Sequence, residues 1–148
     1  MKETRKILVP VDFSDNSPQL LRDAADLAER FGASLAVVFV VQSFEDYSGF
    51  FVPHIPINQY EEELFRGANE KMGKFLAENL KPGLTCEQKV LQGDVAETLV
   101  EYARANDISL IVMTTHGYKG LEKVLFGSVA ERVVKTAPCP VLTINPYK

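Results

Sequence analysis

The sequence predicts an α/β fold, a parallel sheet covered by helices on both faces. Three observations lead there. Short apolar runs rich in β-branched residues alternate with longer amphipathic stretches, in the order β-α-β-α-β-α-β-α-β. No repeat, low-complexity run or linker breaks that alternation, so residues 1–148 read as one domain, long enough to bury a real core. Strand–helix alternation of this kind needs crossover connections, which are right-handed and place helices on both sides of the sheet.

Each element has its own signal. "KILVPVD" (6–12) is a short apolar run and reads as a buried strand. Ser14 or Ser17 is positioned to cap the helix that follows, and Pro18 suits its first turn. Leu20, Ala24, Leu27, Ala28 and Phe31 recur at helical spacing, and Gly32 ends the run. "SLAVVFVV" (34–41) is a second buried strand. Residues 43–57 mix aromatics, Gly49 and two prolines without a period, and read as a long loop of the kind that covers a ligand site. A polar helix is expected from about Asn58 to Leu80, with Tyr60, Leu64, Ala68, Met72, Phe75 and Leu76 inward and Pro82-Gly83 as its stop.

"TCEQKVLQG" (85–93) alternates only in part, which suits an edge strand. "DVAETLVEYARAND" (94–107) is a helix with Asp94 as its N-cap, and "ISLIVMT" (108–114) is a strongly apolar strand. "SVAERVVKTA" (128–137) is a short helix, and "CPVLTI" (139–144) a last strand.

Composition narrows the function. The formal charge is −4, without the excess of basic residues that nucleic-acid binding or attraction to anionic membranes requires. No apolar stretch approaches the roughly 20 residues of a membrane-spanning helix, and the N-terminus has no signal-peptide pattern. Cys86 and Cys139 fit no metal or CxxC spacing and read as free thiols of a reducing compartment. A cytoplasmic protein is therefore expected, with neither a nucleic-acid nor a membrane partner.

The stretch "MTTHGYKGLEKVLFGSVAERVV" (113–134) carries the chemistry. A buried strand ends at Met113-Thr114, Gly117 follows, and Gly127-Ser128 opens a helix. The first turn of a helix has unpaired N–H groups and partial positive charge. Ser128 adds a hydroxyl that can donate to a phosphate oxygen or ligate Mg2+. These parts make an anion site, although neither GxxxxGK[ST] nor GxGxxG is present. The same glycines also suit a purely structural role, with Gly117 and Gly120 serving turns and Gly127 relieving crowding at a helix start.

The chain resembles the universal stress protein family. The resemblance is carried by "ILVPVDFSDNS", by "GDVAETLVEYARAND", and by "LIVMTTHG" leading to "FGSVAERVVKTAPCPVLTI". The family's nucleotide pattern is Gly, two residues, Gly, nine residues, then Gly-Ser or Gly-Thr. This sequence reads T-x2-G-x9-G-S, with Thr114 in the place of the first glycine. Tyr118 stands where relatives often have arginine.

The resemblance implies an open five-stranded, Rossmann-like parallel sheet in the order 3-2-1-4-5. The order reverses between strands 1 and 4, the place where ligands of such sheets bind. It implies ATP, with or without Mg2+. Pro10, Val11, Asp12 and Val40 would surround base and ribose, Met113 would contact the nucleoside at the Thr114 turn, and Gly117, Gly127, Ser128 and Val129 would hold the phosphates, Val129 through its backbone N–H. A carboxylate repels phosphate oxygens but accepts well from ribose hydroxyls, which suits Asp12; a helix-cap or turn role would use the same residue. The resemblance also implies a homodimer through the last strand and an unidentified protein partner.

No catalytic constellation has a recognisable spacing. His116 lies beside the glycine turn, His54 is isolated, and Glu61, Glu62 and Glu63 read as a solvated helix face. The expected activity is an ATP-binding stress-response regulator with at most slow hydrolysis. The alternative is a dimeric interaction module of the same fold that binds no nucleotide.

Overall fold

The computed structural model describes residues 3–42, 57–115 and 127–147, without the side chains of 57 and 58. In chain order the elements are β1 (Lys6–Pro10), α1 (Ser17–Phe31), β2 (Ser34–Val41), α2 (Ile57–Asn79), β3 (Cys86–Gln92), α3 (Val95–Ala105), β4 (Leu110–Thr114), α4 (Ser128–Thr136) and β5 (Val141–Ile144). The strands form one sheet in the order β3-β2-β1-β4-β5, and every described pairing is parallel. Among the described residues β3 and β5 are its edges.

Period-two alternation along the strands sorts the core into two layers. Ile7, Val9, Leu35, Val37 and Val112 face α1 and α2, against Leu20, Leu21, Ala24, Ala28, Met72 and Phe75. Leu8, Ala36, Val38, Ile111 and Met113 face α3 and α4, against Leu99, Ala103, Ala130 and Val133. Each side chain of this size, fully buried, contributes about 1.5–3 kcal/mol. Two such layers explain why the central strands are apolar on both faces.

The starts of β1 and β4 are tied by Ser109. Its hydroxyl donates to the Lys6 carbonyl at 2.9 Å and accepts from the Arg5 and Lys6 N–H groups at 2.9 and 3.0 Å. That fixes the register Ile7↔Leu110 and, with it, the relative height of the two strands' carboxyl ends.

The element limits follow the sequence with local differences. Gly32 ends α1 at φ 63°, a left-handed cap that glycine adopts without strain. The N-cap of α1 is Asn16, and no side chain hydrogen-bonds there as a cap; neither Ser14 nor Ser17 is the cap. Ser17 is instead the first helical residue, buried, with its hydroxyl turned to Asp12. Leu64 is 40% exposed, unlike the inward Ala68, Met72 and Phe75, because the amino-terminal part of α2 runs beyond the layer packed on the sheet. Ile57, expected at the end of the preceding loop, already belongs to α2. The rest of the expected loop, residues 43–56, lies outside the described residues. No helix among the described residues is long and apolar enough to cross a membrane.

Candidate functional site

β1 and β4 are neighbours, although the chain places β2 and β3 between them. Crossovers from β1 therefore leave to one side of the sheet and those from β4 to the other. In open parallel sheets the crevice at such a reversal of strand order is where ligands bind. Pro10 ends β1, and Val11 and Asp12 follow; Met113 and Thr114 end β4. Val40 lies one strand over, next to the last residue of β2.

The side chains around this edge divide between the faces. Val11 is buried in the layer under α1 and α2, and its N–H donates to the Val38 carbonyl at 2.9 Å. Val40 and Met113 are buried in the opposite layer, with Val129 packed against it. The predicted nucleoside contacts thus come together at one end of the sheet, but on its two sides. Gly117 lies outside the described residues, as do His116 and Tyr118.

Asp12 is half-buried at the turn into α1. Its Oδ1 accepts from the Ser14 N–H at 2.9 Å and from the Ser17 hydroxyl at 3.1 Å. Oδ2 makes no hydrogen bond among the described residues, so one oxygen holds the turn and the other remains an acceptor. Phe13, which no sequence signal marks, has φ 60°, a conformation strained for an aromatic residue.

Gly127 is the N-cap of α4 and is extended, at φ −64° and ψ 149°. Its N–H donates to the Thr115 carbonyl at 2.6 Å, and a Cβ built on it would stand 2.9 Å from that same oxygen. Glycine is needed here because two backbone segments touch. The structural role expected as an alternative for this residue is therefore real, whatever else it does. Thr115 carries the contact onward, since its N–H donates to the Ile144 carbonyl at 2.9 Å. Thr115 was another residue that no sequence motif marked.

Helix N-termini attract anions, but a carboxylate already present weakens that attraction. At α3 the N-cap Asp94 accepts from the Glu97 N–H at 3.0 Å and pairs with Arg132 of α4 at 3.0 Å. The Arg132 hydrogen bond first, then the Glu97 N–H, hold the Asp94 carboxyl below its ordinary range. At α1 the Asp12 carboxylate holds the approach turn. At α4 the N-cap is glycine and no side chain caps it. Its first-turn acid, Glu131, is engaged by Lys135 at 2.9 Å. Ser128 is exposed and Val129 half-buried, so the opening of α4 is accessible from solvent. Of these three helices, only α3 has a carboxylate as its N-cap; α1 begins at Asn16 and α4 at Gly127, neither with a side-chain cap. No group of three or more His, Cys, Asp or Glu side chains among the described residues is placed to hold a metal ion.

The fold agrees with a family comparison. The profile of the universal stress protein family matches residues 3–145. The chain belongs to the universal stress protein family. A universal stress protein of Methanocaldococcus jannaschii is 36% identical over 148 residues, an alignment covering 97% of this chain and 84% of the relative. The solved structure of a second universal stress protein from that organism superposes with a TM-score of 0.81, at 25% identity and 97% coverage of both chains. A universal stress protein from Archaeoglobus fulgidus, solved in complex with dAMP, has a TM-score of 0.67 at 24% identity, covering 97% of this chain and 100% of its own. Its likeness establishes a shared fold. The sheet order of this chain is the one the family resemblance implies, including the reversal between β1 and β4.

Proposed function

We propose that this chain is a cytoplasmic stress-response regulator that binds ATP in the crevice between the carboxyl ends of β1 and β4. The observation that carries the reading is the pairing of two complementary ends at that reversal. Asp12 keeps one carboxylate oxygen available for ribose hydroxyls, and α4 presents an N-terminus without a side-chain cap for phosphate. The dAMP-bound relative supports an adenine nucleotide in this fold, and the uncapped start of α4 suits a longer phosphate chain. Pro10, Val11, Val40, Met113 and Thr114 would border the nucleoside, and Gly127, Ser128 and Val129 the phosphates, with Gly117 contributing from beyond the described residues. Bound Mg2+, where present, would supply charge neutralisation between phosphate oxygens. Binding would shift the surface that a protein partner meets.

The same reading includes a homodimer through β5. Among the described residues β5 pairs only with β4, and its sequence, VLTI, has no charge to protect the open edge. Leu142 on β5 is 42% exposed and Val134 on α4 is 47% exposed. A second copy would cover both. Sedimentation at micromolar concentration should give a dimer, and a monomer refutes this part.

The second reading, an interaction module without nucleotide, is favoured by one observation. Gly127 is required by its contact with Thr115 alone. Titration calorimetry with ATP separates the readings. The first expects saturable binding that weakens by about tenfold in Ser128→Ala, the loss expected for one hydrogen bond to a charged group. Absence of heat and of any nucleotide released from the purified protein would leave the module.

A further inference from the structure

Phe13 is one of two described non-glycine residues with positive φ, at 60°, and it directly follows Asp12. Strain of this kind persists only where surroundings over-determine it. Here they are an aromatic cluster. The Phe13 ring lies 4.8 Å from that of Phe39 on β2, tilted by 45°. It meets Phe75 of α2 edge-on at 5.7 Å, and Lys71 Nζ sits 5.1 Å from its centroid. Such contacts are the favourable arrangements for aromatic pairs and for a cation over a ring. They come from two elements remote in sequence, so the ring pins the β1–α1 turn from outside that turn.

The consequence falls on the neighbouring carboxylate. With Phe13 left-handed, the Ser14 N–H turns back to Asp12 Oδ1, and Ser17 donates to the same oxygen. The rotation of the carboxylate is thereby fixed, and Oδ2 is the acceptor that remains. Resting on the proposed nucleotide reading, we infer that Phe13 is a positioning residue: its clamped ring orients Asp12 so that Oδ2 meets the ribose hydroxyls, making the sugar the part of the ligand that this turn discriminates.

The test compares ATP with 2′,3′-dideoxy-ATP by titration calorimetry on wild type, Phe13→Gly and Phe13→Leu. Glycine adopts positive φ without strain, so Phe13→Gly removes the ring without forbidding the turn. Wild type is expected to prefer ATP by about tenfold or more, the value of a hydrogen bond to a charged acceptor. In Phe13→Gly the preference falls toward one while dideoxy-ATP affinity stays within about twofold, because phosphate and base contacts are untouched. Phe13→Leu, which keeps an apolar anchor, retains the preference. An unchanged preference in Phe13→Gly, or equal losses for both ligands, overturns the inference.

A ligand-free readout separates this failure from failure of the nucleotide reading. Hydrogen exchange of the Ser14 amide should accelerate by about tenfold in Phe13→Gly as the turn opens. A wild type that binds neither nucleotide, with that acceleration present, refutes the nucleotide reading and keeps Phe13 as the residue that sets Asp12. Unchanged exchange refutes the positioning itself.

Discussion

Replacing Gly127 by alanine tests the proposition that this glycine is first a packing residue. The dihedral angles of Gly127, φ −64° and ψ 149°, are open to any residue, so alanine meets no backbone strain. The cost is steric. The added Cβ would lie 2.9 Å from the Thr115 carbonyl oxygen, which also accepts the Gly127 N–H at 2.6 Å. Relief requires moving backbone, and Thr115 is itself bonded to Ile144 of β5. Overpacking of this kind costs about 1–3 kcal/mol. Alanine is also a poorer N-cap than glycine, by roughly 0.5 kcal/mol or more. Its lower unfolded-state entropy returns about 0.4–1 kcal/mol. The net loss is about 0.5–3 kcal/mol, which for a chain of this size lowers Tm by roughly 2–9 °C. Thermal unfolding followed by circular dichroism, without added nucleotide, measures it. A Tm within about 1 °C of wild type would refute the packing argument and return Gly127 to the ligand alone.

Two further perturbations follow from the same reasoning. Gly67 and Gly73 lie inside α2 with open space where a Cβ would go, so Gly67→Ala and Gly73→Ala should each stabilise by about 0.5–1 kcal/mol in urea titration; destabilisation by either would show that α2 needs a close approach there. Asp94→Ala should cost about 1 kcal/mol at pH 7 through the lost cap, while Asp94→Asn, itself a good cap, should cost less; equal losses refute the capping assignment. The folded-state carboxyl of Asp94 is held below its ordinary value, by the Arg132 hydrogen bond first, so the charged form is favoured on folding. That contribution is complete above about pH 4–5 and is lost as pH falls through the depressed folded value. The acid limb of the stability profile should accordingly be shallower in Asp94→Asn than in wild type.

The sequence carried most of the fold because the fold rests on local and periodic signals. β2 coincides with the expected 34–41, and Gly32 and Asp94 terminate and cap helices as their chemistry predicts. Errors arose where tertiary contacts decide. Ser14 and Ser17 carry the hydroxyls of helix caps, yet Asn16 is the N-cap of α1: Asp12 Oδ1 accepts from the Ser14 backbone N–H and takes the Ser17 hydroxyl for itself. Leu64 keeps the helical spacing of an inward residue and is nevertheless exposed, since spacing specifies a face but not how far the covered layer extends. The candidate site was legible as residue types: an acid after β1 and glycine with serine at the start of α4. Phe13 and Thr115 were not. A left-handed aromatic is imposed by rings from β2 and α2, and the Thr115–Gly127 contact by how closely β4 and α4 pack.

These two cases explain why a motif in this fold is weak proof of a ligand. Asp12 already braces the turn into α1, and Gly127 already allows α4 to meet β4. A chain of this architecture would need both even if its crevice stayed empty. What distinguishes a nucleotide site is the bonding capacity left after those duties: Oδ2 of Asp12, and the hydroxyl and first-turn amides that open at Ser128. Substitutions at a residue with a structural duty, such as Gly127→Ala, would lower affinity whether or not that residue touches the ligand. Ser128→Ala removes only an exposed hydroxyl, so a tenfold loss of ATP affinity without a fall in Tm could come only from the ligand.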